Sequence, residues 1–264
     1  MASDGNQEIW KDIRKYVHVL EENAISQLSI NCVILGFDDR NLQVAVNRVQ
    51  IGTHPMLLLP GGYVGQRENV SDAVRRIVRE CTGMEDIPLR QFDVFGSASR
   101  SFFQDLAGEV ELSTGAAKSI MDWLTRRFIS LCYLALVDFR EIALHPTEFY
   151  DDARWIGLDE AGCLALDHPD MVRSAREYLR KEMPHAPIAS RLLPDTFTLP
   201  DLQALVEAIL DRRVDRPNFR RKILGTGLLR KVGQDRSGIG RPADLYSFVH
   251  GRHTALVEDF RFGF

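Results

Sequence analysis

The stretch from Met56 to Met84 constrains the fold of this 264-residue chain more than any other part of it. A short apolar run, Met56–Leu59, ends at Pro60-Gly61-Gly62, a combination that breaks regular structure. Ser71–Thr82 then has helical periodicity, with Ala73, Val74, Ile77, Val78 and Cys81 on one face. Gly83 is placed to stop that helix, because glycine accepts the left-handed conformation found just past helix ends.

Strand and helix patterns alternate around this core. Leu28–Phe37 and Leu42–Val49 read as strands joined by the turn residues Asp38-Asp39-Arg40-Asn41. Residues 1–27 read as a helix, from the spacing of Ile9, Ile13, Tyr16, Val17 and Leu20. Gln91–Ser97, Phe128–Phe139 and Asp152–Ile156 are expected strands, and Met171–Glu182 an expected helix. Ala116, Ile120, Trp123 and Leu124 follow Ser113-Thr114 at helical spacing, as an inserted helix would. Strands mixed with a few helices indicate the α+β class. Met183-Pro184-His185-Ala186-Pro187 and then Leu193-Pro194 punctuate the chain. The expected organisation is therefore a helical segment 1–27, a domain 28–183, a linker 184–196 and a second unit 197–264.

The second unit opens with Thr198-Leu199-Pro200-Asp201, an N-cap hydroxyl followed by an acidic third position. Leu202, Leu205, Val206 and Ile209 give that helix its buried face. Asp215-Arg216-Pro217 opens the next helix, with proline where a missing N–H costs least. Phe219, Ile223 and Leu224 are expected to point inward. Leu228–Val232 and Ala243–Val249 then read as strands flanking a glycine-rich loop. Two helices and a hairpin with a basic tip are the order of a winged helix.

Composition narrows the function classes. At 45% hydrophobic and 27% charged residues the chain is an ordinary globular sequence, not a disordered or disulfide-dense one. Cys32, Cys81, Cys132 and Cys163 form no CxxC pair, so a cysteine-built zinc site is not expected. Phe128–Val137 is about half a membrane span, and the N-terminus lacks a signal pattern, so a cytoplasmic protein with no membrane partner is expected. The net charge is −4, yet residues 212–241 hold 10 Lys and Arg against Asp215 and Asp235. A basic segment on a mildly acidic body is a nucleic-acid signature, with a solvated basic face as the alternative.

The spacing Gly62-x5-Glu68-x7-Arg76, followed by Val78, Glu80, Gly83 and Met84, resembles the Nudix box, G-x5-E-x7-R-E-U-x-E-E-x-G-U, where U is a bulky aliphatic residue. Two of its glutamate positions are Ile77 and Cys81 here. Family hydrolases use these positions, with the one at Glu80, to hold magnesium or manganese. Such hard cations want oxygen ligands; isoleucine offers none and cysteine is too soft. The resemblance thus implies a Nudix scaffold that has lost hydrolysis, with no catalytic residue, no metal site and no cofactor. An active hydrolase of nucleoside diphosphate derivatives such as ADP-ribose is the alternative.

The likeness extends beyond the box. Phe95-Gly96 with Arg100, Arg127–Val137, Ala153-Arg154-Trp155-Ile156 and Leu164-Ala165-Leu166-Asp167-His168-Pro169 resemble the Nudix-related transcriptional regulators of the NrtR and AraR type. So do Asn218–Leu224 and Gly240-Arg241-Pro242-Ala243 in the second unit. That family implies a Nudix fold, a mixed β-sheet between helices, followed by a winged helix-turn-helix domain. It implies a ligand-responsive regulator binding a sugar or nucleotide-sugar type metabolite. The ligand-binding set expected on this reading is Arg48, Gly61, Gly62, Arg76, Glu80, Arg100, Arg127 and His168. Guanidinium forks suit phosphate and sugar oxygens, although Arg48 and Arg100 have a surface reading too, and His168 a structural one. The DNA-binding set is Arg216, Asn218, Arg220, Arg221 and Lys222 on the helix, with Arg236 and Arg241 on the wing. Expected partners are a double-stranded DNA operator, a small polar metabolite effector and a second copy in a homodimer. A protein-binding adaptor is the remaining alternative.

Overall fold

A computed structural model describes residues 24–38, 40–51, 54–98, 100, 126–147, 150–182, 191–235 and 242–249. The expected helix before residue 24, the Trp123 stripe, and Arg236 and Arg241 lie outside these residues.

In chain order the first domain contains β1 (Ala24–Asp38), β2 (Asn41–Ile51), β3 (His54–Leu58), β4 (Gly61–Gly65), α1 (Val70–Thr82), β5 (Leu89–Phe95), β6 (Ile129–Leu136) and β7 (Asp152–Gly157). A 3-10 turn (Leu158–Cys163) and α2 (His168–Glu182) complete it. The sheet runs β3-β2-β1-β6-β5, with β4 also on β1 and β7 also on β2. The β1–β6 pair is parallel; the others are antiparallel. Side chains alternate across a strand, so β1 serves two cores. Val33, Leu35 and Phe37 join Met171, Val172 and Leu179 of α2. Ile30, Cys32 and Ile34 join Val74, Ile77, Val78 and Cys81 of α1. The sheet is thereby covered on both faces.

Two expectations are corrected here. Ala24–Gln27, expected at the end of a helix, form the start of β1. The Pro60-Gly61-Gly62 breaker is instead the entry to strand β4. Gly61 pairs with Asn31, and a Cβ on it would fall 2.8 Å from the Ile30 carbonyl oxygen. Glycine is what lets β4 lie this close to β1.

The second unit contains β8 (Phe197–Thr198), α3 (Leu199–Leu210), α4 (Arg216–Gly225), β9 (Leu229–Asp235) and β10 (Ala243–Phe248). Its strands form a separate sheet in the order β8-β10-β9. Thr198 and Asp201 make a reciprocal capping box at the start of α3, worth about 1 kcal/mol. Asp215 caps α4 by accepting the Asn218 N–H at 2.9 Å. Phe219 and Ile223 are buried, whereas Leu224, expected inward, is 38% exposed. A 100° step per residue puts Leu224 beyond the edge of the buried stripe. Leu192 and Leu193, within the segment read as a linker, are buried with Leu205 and Ile209 in the same core as Val33 and Val44. The two units therefore share a core.

Candidate functional site

The Nudix-box residues form a tight internal brace. Arg76 donates through Nε and Nη2 to the Glu68 carboxylate at 2.9 Å each, and through Nη2 to the Tyr63 carbonyl at 2.9 Å. Glu68 also accepts the Gly65 N–H at 3.0 Å. The Arg76 guanidinium holds the Glu68 carboxyl below its usual range, by hydrogen bonding above all. This ties the loop after β4 to α1. Glu80 stands 3.6 Å from Arg76 with its side chain 45% exposed.

The family's two other carboxylate positions belong to the core. Ile77 is 3% exposed and Cys81 1%. A Cβ on Gly62 would meet the Ile77 side chain at 3.2 Å, so glycine and isoleucine close on each other. The Cys81 thiol faces the Asn47 amide oxygen at 4.0 Å, and burial pushes it up to about 12, far from thiolate formation at neutral pH. Among the described residues no group of three His, Cys, Asp or Glu is arranged to hold a metal ion. The donor set does not fit the magnesium or manganese site of the family hydrolases, because Glu80 has no carboxylate neighbour at Ile77 or Cys81.

A second polar cluster lies on the opposite face of the sheet, beneath the start of α2. Ser29 of β1 stands between Tyr63 of β4 and Ser130 of β6 in register. The Ser29 and Ser130 hydroxyls share a short hydrogen bond. Arg100 enters this row almost completely buried. Its Nη1 donates to Ser130 Oγ at 2.9 Å and to the Phe128 carbonyl at 2.8 Å. Its Nε and Nη2 donate to Asp167 at 2.6 and 3.2 Å. His168 is buried next to it: Leu59 N–H donates to Nδ1 at 2.9 Å, and the Asn31 amide lies 3.2 Å from Nε2. Burial lowers the imidazole to about 4, so it is neutral at physiological pH.

The sequence-predicted ligand set therefore falls into separate places. Gly62, Arg76 and Glu80 lie at α1, and Gly61, Arg100 and His168 on the other face. Arg48 sits on β2 opposite Asp152, half-buried, with Nη2 3.4 Å from Gln50. Arg127 is exposed and donates to the Gly96 carbonyl at 2.7 Å. Sequence reasoning missed Glu68, Ser29, Asn31, Ser130 and Asp167 as partners. Its available signal was three polar residues, Ser29, Asn31 and Ser130, inside otherwise apolar strands.

On the second unit, Arg216, Arg220 and Arg221 are exposed on α4, and Asn218 and Lys222 are half-buried. Arg221 Nη2 donates to Asn218 Oδ1 at 2.9 Å, so these two side chains form one preset group. Lys231 on β9 pairs with Asp244 on β10 at 2.6 Å.

This geometry agrees with comparison to known proteins. The NUDIX domain family profile matches residues 26–181. The chain belongs to the Nudix family. The profile of the NrtR DNA-binding winged helix domain matches residues 189–248 of this Nudix protein, which places it among the Nudix-related transcriptional regulators. The ADPR responsive transcriptional repressor NtrR of Acinetobacter baylyi is 26% identical over 244 residues, covering 90% of this chain and 85% of that protein. The crystal structure of Shewanella oneidensis NrtR complexed with a 27mer DNA superposes with a TM-score of 0.63 at 26% identity, covering 85% of this chain and 94% of that one. A MutT/nudix family protein from Enterococcus faecalis shares the fold at a TM-score of 0.60 and 16% identity, over 94% of this chain and all of its own length.

Proposed function

We propose that this chain is a DNA-binding transcriptional regulator whose Nudix domain senses ADP-ribose or a related nucleotide sugar without hydrolysing it. The observation that carries this reading is the burial of Ile77 and Cys81 where hydrolases of the family carry metal-binding carboxylates. Restoring oxygen ligands there would require charges inside an apolar core. The relative from Acinetobacter baylyi is described as ADPR responsive, and the NrtR of Shewanella oneidensis was crystallised on DNA, which supports the pairing of effector and operator. The exposed cations of α4 support entry into the major groove, where arginine and asparagine read guanine and adenine. The same reading includes a homodimer, because a two-fold protein presents two recognition helices to two half-sites of DNA.

The test has two parts. Purified protein with magnesium or manganese should leave ADP-ribose intact, at the level of a Glu80→Gln control. Fluorescence anisotropy on the upstream DNA of neighbouring genes should show binding that ADP-ribose changes, with sedimentation reporting a dimer. Turnover well above the control would establish the hydrolase instead. Absence of DNA binding at low salt would favour a protein-binding adaptor. Among the described residues no helix is long and apolar enough to cross a membrane.

A further inference from the structure

Helix α2 joins the buried Arg100 cluster to the winged-helix unit. Immediately before its first turn Asp167 holds Arg100, and at that turn His168 receives the Leu59 N–H, both within the Nudix domain. Two and three turns later the same helix reaches the winged-helix unit. Arg176 Nη2 donates to the Ala208 carbonyl at 2.8 Å, and Arg180 Nε donates to the Ile209 carbonyl at 2.8 Å. Both carbonyls belong to the last turn of α3, where helices leave acceptors without partners and carry partial negative charge. Asp211 follows, with a left-handed backbone at φ 58°, and its carboxylate lies 3.3 Å from Arg176 and 3.8 Å from Arg180. Two arginines thus grip the end of α3 at the start of the turn that aims α4.

That turn is itself well defined. Glu207 accepts the Val214 N–H at 3.0 Å, and Asp215 caps α4. Moving the last turn of α3 therefore moves the first turn of α4. The distance along α2 from His168 to Arg176 and Arg180 is about 12–18 Å at the helical rise. Packed helices have discrete arrangements, so a shift at one end of α2 is felt at the other.

We propose that Arg176 and Arg180 are positioning residues for DNA recognition, transmitting the state of the Arg100–Asp167 contact through α2 to the recognition helix. The proposal rests on the regulator reading above, since it gives the ligand domain a physical route to α4. Arg176 and Arg180 touch neither the bases nor the metabolite; they act by setting where α4 stands.

The test is a double-mutant cycle on the full chain between Asp167→Asn and the pair Arg176→Gln with Arg180→Gln. The readout is hydrogen exchange at the amides of Val214, Asn218 and Phe219, which needs neither DNA nor metabolite. Asp167→Asn should speed exchange there about fivefold or more in the otherwise unaltered chain, and should add almost nothing once the arginines are gone. Sites this far apart are normally additive to within about twofold, so additive behaviour, or no effect of Asp167→Asn at α4, would overturn the proposal. A merely structural role would slow or speed exchange across α3 without coupling to Asp167. If Asp167→Asn does not fold, Asp167→Glu keeps the charge, displaces the contact and has the same two outcomes. Anisotropy on DNA with the same variants separates the two ideas: coupling in exchange without DNA binding would sink the functional reading alone.

Discussion

The imidazole of His168 accepts the backbone N–H of Leu59 at 2.9 Å, which fixes the state of a buried histidine at the start of α2. Since Nδ1 is the acceptor, the neutral ring carries its proton on Nε2. Asn31 Nδ2 lies 3.2 Å from Nε2, and a flip of this amide would bring its otherwise unbonded Oδ1 to the ring as the acceptor that Nε2–H requires. The ring is thus a neutral bridge between β1, the β3–β4 junction and α2. Protonating it would set a charge in the core and abolish the bond from Leu59.

The first prediction is a stability loss in mild acid. Burial lowers His168 from its ordinary 6.5 to about 4, so the unfolded chain takes up this proton before the folded one does. Its contribution is complete above pH 6.5 and is lost as pH falls from there to about 4, an effect of roughly 3 kcal/mol at most. Urea unfolding across that window should show the loss in the natural chain. His168→Gln, which keeps an acceptor and does not titrate, should flatten the profile. An equal slope in both proteins would mean that His168 is not the group responsible.

The second prediction concerns Arg100. Its guanidinium serves Asp167, Ser130 and the Phe128 carbonyl at once. Arg100→Ala leaves these groups without their partner, and removing one member of a buried pair costs about 3–5 kcal/mol. Arg100→Lys should recover only part of this, because one ammonium cannot reproduce the fork. Thermal or urea unfolding of both variants checks the order. Lysine equal to arginine would show that charge alone is used here.

Much of the fold was legible because periodicity reports burial. The apolar run Leu28–Phe37 and the helical stripe through Ala73, Ile77 and Cys81 depend on side chains that the core must take in, and both appear where expected. Gly61 was misread because glycine marks two opposite things, a loop or a close strand approach, and only the distance to Ile30 separates them. The candidate site was less legible. Arg76 could be seen to match a motif, but its engagement by Glu68 depends on a loop fold that spacing does not encode. Asp167 and Arg100 are 67 residues apart, and no local pattern joins them.

The third prediction tests the plugged metal site. Ile77→Glu would insert a carboxylate against Gly62 and the apolar side chains of Ile30 and Val74, with no cation there to meet it. The cost should exceed about 2 kcal/mol, as for other unpaired polar groups forced into a core. Calorimetric melting with and without millimolar magnesium is the measurement. A variant as stable as the natural chain without metal would show that position 77 reaches solvent and that the hydrolase-like site is open after all.

The last prediction concerns the DNA face, where charge alone misleads. Lys231 counts among the basic residues of the second unit, yet Asp244 pairs with it at 2.6 Å and also sits close to Arg220. Part of the positive charge is therefore already answered within the protein. Asp244→Asn should release Lys231 toward phosphate, tighten binding to all duplexes alike and steepen the salt dependence by about one unit of logarithmic slope. Arg221→Ala should behave differently. Arg221 lies opposite the buried Phe219 and Ile223 and is held by Asn218, the placement expected of a base reader. Its loss should cost about 1–3 kcal/mol on the preferred sequence and relax preference at one position. Asn218→Ala should reproduce part of that relaxation, because Arg221 would no longer be preset. Anisotropy titrations at several salt concentrations, on a selected and a scrambled duplex, separate these effects. If Arg221→Ala weakened both duplexes equally, the arginine would be a phosphate contact and sequence reading would have to come from another part of α4.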